Sequence, residues 1–362
     1  MRAALSLAQR GLGGVWPNPA VGCIIVSDGR VVGRGWTQPG GRPHAETEAL
    51  ARAGAAAVGA CAYVTLEPCN HHGRTPPCSD ALLDAGIRRI VTALEDPDPR
   101  VSGGGHEKLE AGGATVIRDV LRAEAEYLNA GFLRRVRDGR PMVTLKAATT
   151  LDGRIAARGG ASKWITGPEA RARGHLLRAS HDAIMIGVGT ACADDPSLTC
   201  RLAGLADRSP VRVVLDGKLR LPLNSQLVLS AQDIPTWIVT LPGANNADVY
   251  RTQGVEILEV EADASGRPDI NGAMRAIAAR GITRLLVEGG GTLAGAVVAA
   301  GLVDRIAWFR AAAIMGGDGV PAMVPYGVDS PAAMARFARV GLIPVGADML
   351  EMFERRDTPQ NG

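Results

Sequence analysis

Glu67-Pro68-Cys69-Asn70-His71-His72-Gly73-Arg74-Thr75-Pro76-Pro77-Cys78, read together with His44-Ala45-Glu46 upstream, decides what kind of molecule this is. One imidazole and two thiolates, from His44, Cys69 and Cys78, make a zinc ligand set that leaves a fourth position open for water. Zinc lowers the pKa of bound water to about 7, which makes a nucleophile available at neutral pH. Glu46 is then not a ligand. It takes the proton of the water and delivers it to a ring nitrogen and a leaving amine, as a general acid–base does. His44 opens one predicted helix (residues 45–57) and Cys78 opens another (79–85), and the positive end of a helix favours thiolate over thiol. Positions i and i+2 lie about 200° apart on a helix. His44 and Glu46 therefore reach one metal only if it sits over the helix end.

A His-x-Glu…Pro-Cys arrangement is the one zinc-dependent nucleobase deaminases use. Those enzymes separate their two cysteines by two residues, whereas eight intervene between Cys69 and Cys78. An insert beside the metal is a natural substrate loop, and its His71, His72 and Arg74 are suited to a phosphate. The alternative is a structural zinc with His71 or His72 as fourth ligand. Such a site has no use for Glu46. Cys23, Cys61, Cys192 and Cys200 read as structural.

Outward from this motif, the first 140 residues alternate strand-like and helical runs. Ser27-Asp28-Gly29 marks a hairpin between two apolar strands. Arg137-Asp138-Gly139-Arg140-Pro141 ends a long helix and marks a boundary. It separates a domain over 1–140 from a second α/β series over 141–362, with strands predicted at 142–147, 183–187, 211–215, 236–240, 255–260, 284–287 and 303–309. The fold class is α/β in both halves.

Composition narrows the function. The chain has 362 residues, 46% of them apolar, and a formal charge of +3 from 40 basic and 37 acidic residues. A nearly neutral chain with four Phe, five Trp and four Tyr lacks the basic surface and stacking platforms of a nucleic-acid binder. That argues against a nucleic-acid deaminase with a C-terminal binding module. The longest uncharged run is too short to span a membrane. Six cysteines in a chain of this length are no disulfide framework, so the expected compartment is the cytoplasm.

The second half signals less. Glu288-Gly289-Gly290-Gly291-Thr292 follows an apolar strand and opens a helix, a geometry that cradles phosphate. As a dinucleotide fingerprint it is weak, because no acidic residue follows at the usual distance. Thr149–Ala156 and Gly187–Arg201 are polar, glycine-containing stretches. Lys146 lies inside an apolar strand, where an ammonium needs a partner, a function or an exposed edge.

Pro17-Asn18-Pro19-Ala20-Val21-Gly22, His44-Ala45-Glu46, the Glu67–Cys78 run and Asp96-Pro97-Asp98-Pro99 resemble the deaminase half of the bifunctional riboflavin-biosynthesis deaminase–reductase family. Lys146, Leu151-Asp152-Gly153, Ser162–Thr166, Asp182-Ala183-Ile184, Thr190, Asp194-Asp195-Pro196 and Glu288-Gly289-Gly290 resemble its reductase half. The resemblance implies a cytidine-deaminase-like zinc domain followed by a dihydrofolate-reductase-like domain that uses NADPH. It implies deamination of a phosphoribosylaminopyrimidine and then reduction of its ribosyl group. Asn18 would meet the pyrimidine; the alternative is a turn asparagine between two prolines. Carried over by position, Lys146 would be catalytic. Ala148, Trp164, Thr190, Asp194 and the run Gly290, Gly291, Thr292, Leu293, Ala294, Gly295 and Ala296 would contact the cofactor. Ser162, Arg178, Leu198, Arg201 and Glu288 would contact substrate, the two arginines at its phosphate. Thr150, Gly217, Gly291 and Ala313 depart from the family's usual residues, which leaves open a deaminase with an impaired reductase half. The expected partner is the small-molecule substrate, with no nucleic acid and no membrane; a homo-oligomer stays open.

Overall fold

The computed structural model describes residues 1–71, 76–98 and 101–356. Asp28 and Gly29, at φ +48° and +74°, make the tight turn between β1 (Gly22–Ser27) and β2 (Arg30–Trp36). Both values lie in the left-handed region that a two-residue hairpin turn needs. α1 (Arg2–Ala8) and α2 (Ala45–Ala53) pack on this hairpin. A Cβ at Gly33 or Gly35 would run into the carbonyls of Ala49 or Ala45. The glycines of β2 thus let the backbone of α2 lie directly on the sheet, which fixes where the helix start, and hence His44, must sit. The buried face of α2 is Ala45, Glu46, Ala49 and Ala53; the carboxylate is the exception in an otherwise alanine-lined contact.

β3 (Cys61–Val64), α3 (Cys78–Asp84), β4 (Arg89–Thr92), α4 (Gly104–Ala111), β5 (Thr115–Ile117) and α5 (Arg122–Asp138) complete the first unit. Its sheet runs β2-β1-β3-β4-β5, antiparallel at β2/β1 and β1/β3 and parallel onward. The core gathers Cys23, Ile25, Val64, Leu66, Leu82, Ile90 and Leu109. α5 stops at Gly139, φ +65°, the left-handed residue that commonly ends helices. The chain divides into two compact units, Met1–Arg140 and Pro141–Gly362.

The second unit holds β6 (Met142–Thr149), β7 (Arg154–Ala156), α6 (Pro168–Ala179), β8 (Ala183–Gly187), α7 (Val188–Asp194), β9 (Val211–Leu215), α8 (Gln226–Leu229) and β10 (Thr236–Thr240). α9 (Ala247–Thr252), β11 (Glu256–Glu259), α10 (Ile270–Ala279), β12 (Arg284–Glu288), α11 (Gly291–Ala299), β13 (Val303–Arg310), β14 (Val320–Pro321), β15 (Phe337–Val345) and β16 (Asp348–Arg355) follow. Nine strands form one sheet in the order β11-β10-β9-β8-β12-β6-β13-β16-β15. It is parallel from β11 to β13 and antiparallel beyond. The buried strands read as continuous apolar runs, as parallel strands covered on both faces do. Lys146 is not on an edge: β6 lies between β12 and β13, and Lys146 stands in register with Glu288. No described helix is long and apolar enough to cross a membrane.

Candidate functional site

In the first unit two helix starts and one loop converge. His44 is the residue before α2, and Cys78 is the first residue of α3. Cys69 comes from the loop after β3. Their donor atoms all lie within 4.8 Å of one another. His44 Nδ1 is 3.3 Å from Cys78 Sγ and 3.7 Å from Cys69 Sγ. Ligands at the usual Zn–N and Zn–S distances on a tetrahedron stand about 3.6 Å apart, so the donor set fits zinc. The cluster lies over the start of α2, the position the i, i+2 spacing demanded. Cys69 also accepts the Cys78 amide at 3.3 Å. Hydrogen bonding from Cys78 takes the Cys69 thiol down to about 4 against the opposing effect of burial. His44, bonded to Cys69, is raised.

A cavity of about 90 Å³ opens beside the cluster, lined by Asn18, His44, Glu46, Glu67, Cys69, His71, Asp96 and Asp98 among others. Burial first, then the charge of Cys69, pushes Glu46 up to about 7. The Asn18 side chain packs over Gly41, where any Cβ would strike its amide. His71 lines the same cavity, outside the three-residue cluster, and its buried Nδ1 has no hydrogen-bond partner among the described residues. His72 and Arg74 lie outside the described residues. Glu67, to which the motif gave no role, turns out to be a hub. Its Oε1 accepts the amides of Gly105 and His106, and its Oε2 those of Asp96 and Gly103. Four amides on one buried carboxylate tie the metal loop to the wall that carries Asp96, whose own carboxyl burial raises to about 6. The only sequence signal for this was Glu67's place beside Pro68-Cys69.

In the second unit two cavities meet at Lys146, Ala148, Arg178 and Glu288. The larger, about 440 Å³, is also lined by Ser162, Thr190, Asp194, Leu198, Gly290, Gly291 and Ala294. Gly289 and Gly290 hold φ +87° and +80° ahead of α11, and a Cβ at Gly290 would crowd Thr190 Oγ1 at 2.9 Å. Only glycine gives this turn its close backbone approach. Leu198, buried, is held at φ +54°, a strained position for a branched side chain. Of the predicted cofactor run, Leu293 and Gly295 face inward and Thr292 outward. These three, with Ala296, are absent from the cavity lining.

The smaller cavity, about 250 Å³, adds Trp164, Arg171, His175, Arg201 and Phe309. Trp164 is 67% exposed, with the Arg171 guanidinium 4.5 Å from its ring centre. Glu288 sits among cations: Arg178 Nε and Nη2 each donate to it at 2.9 Å, and Lys146 Nζ is 3.6 Å away. Burial alone would raise its carboxyl, but Lys146 and Arg178 bring it down to about 2. Arg178 also donates to the Thr199 carbonyl at 3.0 Å. Its guanidinium is therefore committed to Glu288 and the backbone, and Arg201, exposed and bonded to Ser197 Oγ at 2.9 Å, is the freer of the two arginines. His175 and Arg171 were missed in the sequence. Their spacing of four and three residues along α6 toward Arg178 was the available signal.

Thr150 Oγ1 donates to Asp152 and accepts from the Arg154 amide, which a serine hydroxyl would do equally. Asp152 in turn accepts the amides of Met315 and Gly316. Gly217 is packed against the Pro268 ring, and Ala313 accepts the Leu151 amide through its carbonyl.

The family model described as the cytidine and deoxycytidylate deaminase zinc-binding region matches residues 1–94, and the RibD C-terminal domain matches 141–350. The riboflavin biosynthesis protein RibD of Escherichia coli strain K12 is 41% identical over 360 residues, covering 96% of each chain. The protein of that name from Bacillus amyloliquefaciens is 42% identical over 90% of this chain and 86% of its own. Among solved structures, Acinetobacter baumannii RibD aligns with a TM-score of 0.89 at 35% identity, over 98% of this chain and 97% of that one. The Thermotoga maritima diaminohydroxyphosphoribosylaminopyrimidine deaminase/5-amino-6-(5-phosphoribosylamino)uracil reductase aligns at 0.87 and 34%, with the same coverage. With a zinc-type donor set in one unit, a cationic cleft beside a glycine turn in the other, and relatives matched over nearly their whole length, the chain belongs to the RibD family of riboflavin-biosynthesis proteins.

Proposed function

We propose that this chain carries out two successive reactions of riboflavin biosynthesis. The unit 1–140 removes the 2-amino group of 2,5-diamino-6-ribosylamino-4(3H)-pyrimidinone 5′-phosphate by hydrolysis, releasing ammonia. The unit 141–362 then reduces the ribosyl group of that product with NADPH to give 5-amino-6-(5-phosphoribitylamino)uracil. The observation that carries the reading is the close-set His44, Cys69 and Cys78 donor group with a buried glutamate, Glu46, two residues from one of its members.

Zinc, when bound, lowers the pKa of a water it holds to about 7 and so supplies the nucleophile. His44, Cys69 and Cys78 hold it. With the metal in place, Glu46 would take the proton of the attacking water and hand it to the ring nitrogen and the departing amine. Asn18 orients the pyrimidine, and the Glu67 hub keeps Asp96 and Asp98 against the cavity. NADPH, when bound, supplies the hydride that reaches C1′ of the opened sugar. The Gly289-Gly290-Gly291 turn at the start of α11 is suited to its phosphates, and Thr190, Asp194 and Ala148 line its cavity. Lys146, held toward the cleft by Glu288, serves the reacting end of the ribose. The departure at Thr150 keeps the hydroxyl that bonds Asp152 and the Arg154 amide, which supports an active second step.

The test is direct. Purified protein is incubated with the diaminopyrimidinone phosphate, with and without NADPH, and products are identified by mass. Deamination alone without NADPH, and the ribityl product with it, are expected. Deamination with no NADPH oxidation would leave a deaminase with an idle second unit.

A further inference from the structure

α6 places Arg171, His175 and Arg178 along one face, and all three line the smaller cavity with Lys146, Arg201 and Glu288. Glu288 is the one carboxylate among these lining residues. Both its oxygens are taken by Arg178, and Lys146 stands at 3.6 Å. Arg171 and Arg201 therefore face the cavity with no carboxylate of the lining to balance them. Arg171 is steadied by the Thr166 carbonyl and the Trp164 ring, Arg201 by Ser197 and Thr199. Two anchored guanidiniums in a pocket of this size suit a compact anion with more than one negative charge.

His175 is the titratable member of this group. Its Nδ1 is 3.1 Å from the Thr199 carbonyl, a contact that needs a proton on that nitrogen. The Arg201 amide approaches the same nitrogen at 3.4 Å and is the weaker contact. This tautomer leaves Nε2 as a bare lone pair, with no partner among the described residues. Burial first, then the charges of Arg178 and Arg201, hold the ring below its ordinary value against the Thr199 carbonyl and the Glu288 carboxylate, which act the other way, so the neutral form is favoured at pH 7. A doubly charged anion between Arg171 and Arg201 reverses that field and favours imidazolium.

We propose that His175 is a ligand for the phosphate monoester of the substrate, and that its Nε2 takes up a proton from solvent when the phosphate binds. The proposal rests on the reading that this cleft takes a phosphoribosyl substrate. The step forms one N–H bond, leaves the ester intact, and seats a dianion on Arg171, Arg201 and an imidazolium. Arg178, on the same helix face, holds Glu288 and the Thr199 carbonyl that orients the histidine.

Calorimetric titration of the full-length protein with ribose 5-phosphate, in buffers of different ionisation enthalpy, reads the proton directly. Wild type takes up roughly half a proton or more near pH 7, and Kd rises by up to about tenfold per pH unit between the free and bound pKa values. His175→Gln keeps a donor near the Nε2 position but cannot titrate. It binds the probe with proton uptake abolished, apart from the phosphate's own second ionisation near pH 6. His175→Asn keeps a donor toward Thr199 but cannot reach the anion, and weakens binding about tenfold or more. Ribose, lacking the phosphate, shows no linked proton. Equal uptake by wild type and His175→Gln, or wild-type affinity in His175→Asn, overturns the proposal. So does failure of ribose 5-phosphate to bind a protein that still reduces the deaminated intermediate. Failure of the wider reading looks different: wild type would not oxidise NADPH with that intermediate at all.

Discussion

The metal cluster and the reductase cleft are built in opposite ways. The first draws His44, Cys69 and Cys78 from one short stretch of chain, and every member has a role its neighbours cannot take over. The second collects side chains from Lys146 to Phe309, across strands β6, β12 and β13, helix α6 and the loop after α7. Its charges overlap: Lys146 and Arg178 share one carboxylate, and Arg171, His175 and Arg201 share one cavity. A site of single-purpose groups should fail abruptly on substitution. A site of shared charges should fail by degrees.

The sharpest break of that contrast is Cys78→Ala. Zinc content should fall from about one per chain to near zero, and deamination by at least about 10⁴-fold, because uncoordinated water has a pKa near 15.7. Metal analysis showing normal zinc would remove Cys78 from the ligand set. Glu46→Gln comes next. It should retain zinc and lose deamination by about 10²–10⁴-fold, while reduction of supplied deaminated intermediate is unchanged. In the cleft, Lys146→Ala should lower kcat, because its ammonium lies beside Glu288 at the meeting point of the two cavities. Arg201→Ala should raise KM about tenfold with little change in kcat, since a phosphate contact binds ground and transition states alike. Steady-state kinetics in which Arg201→Ala lost turnover as completely as Glu46→Gln loses deamination would end the contrast.

The smallest effect concerns pH. Glu288 has a folded pKa of about 2, below the ordinary value of 4.5. Its contribution to stability is therefore complete above about pH 5 and declines as pH falls toward 2. The stability difference between wild type and Glu288→Gln, read by urea denaturation, should shrink by on the order of 1 kcal/mol on going from pH 6 to pH 3.5. A difference that stays constant over that range would mean the carboxyl is not held down by Lys146 and Arg178.

The same contrast explains what could be read from residues alone. The ligand triad was legible because metal chemistry admits few residue types at few spacings. The strands β8, β9 and β10 were legible because they are unbroken apolar runs between turns. The hairpin β15–β16 was not: Phe337–Val345 contains Gly341 and Pro344, and every position of it except Val345 is at least partly exposed. It is a strand because β16 pairs with it on one side and with β13 on the other, a long-range fact with no local pattern. α7 carries two β-branched residues and a glycine in seven positions and owes its shape to packing. Lys146 left three readings open until β6 was found between β12 and β13, opposite Glu288. Arg178 was placed at a phosphate by position, and nothing local announced its bidentate bond to Glu288, 110 residues away. The four amides around Glu67 come from residues 96 to 106, and nothing about a single glutamate announces them.

That hub has a consequence for how the first unit breathes. The amides of Asp96, Gly103 and Gly105 lie in or next to irregular backbone, where hydrogen exchange with solvent is ordinarily fast. Here each donates to a carboxylate that is 3% exposed. Their exchange should be slow and should share the opening free energy of the sheet, since releasing any of them means uncovering a buried charge. In exchange terms these three amides belong with the core strands, so the part of the cavity wall they anchor opens only when the unit around it opens.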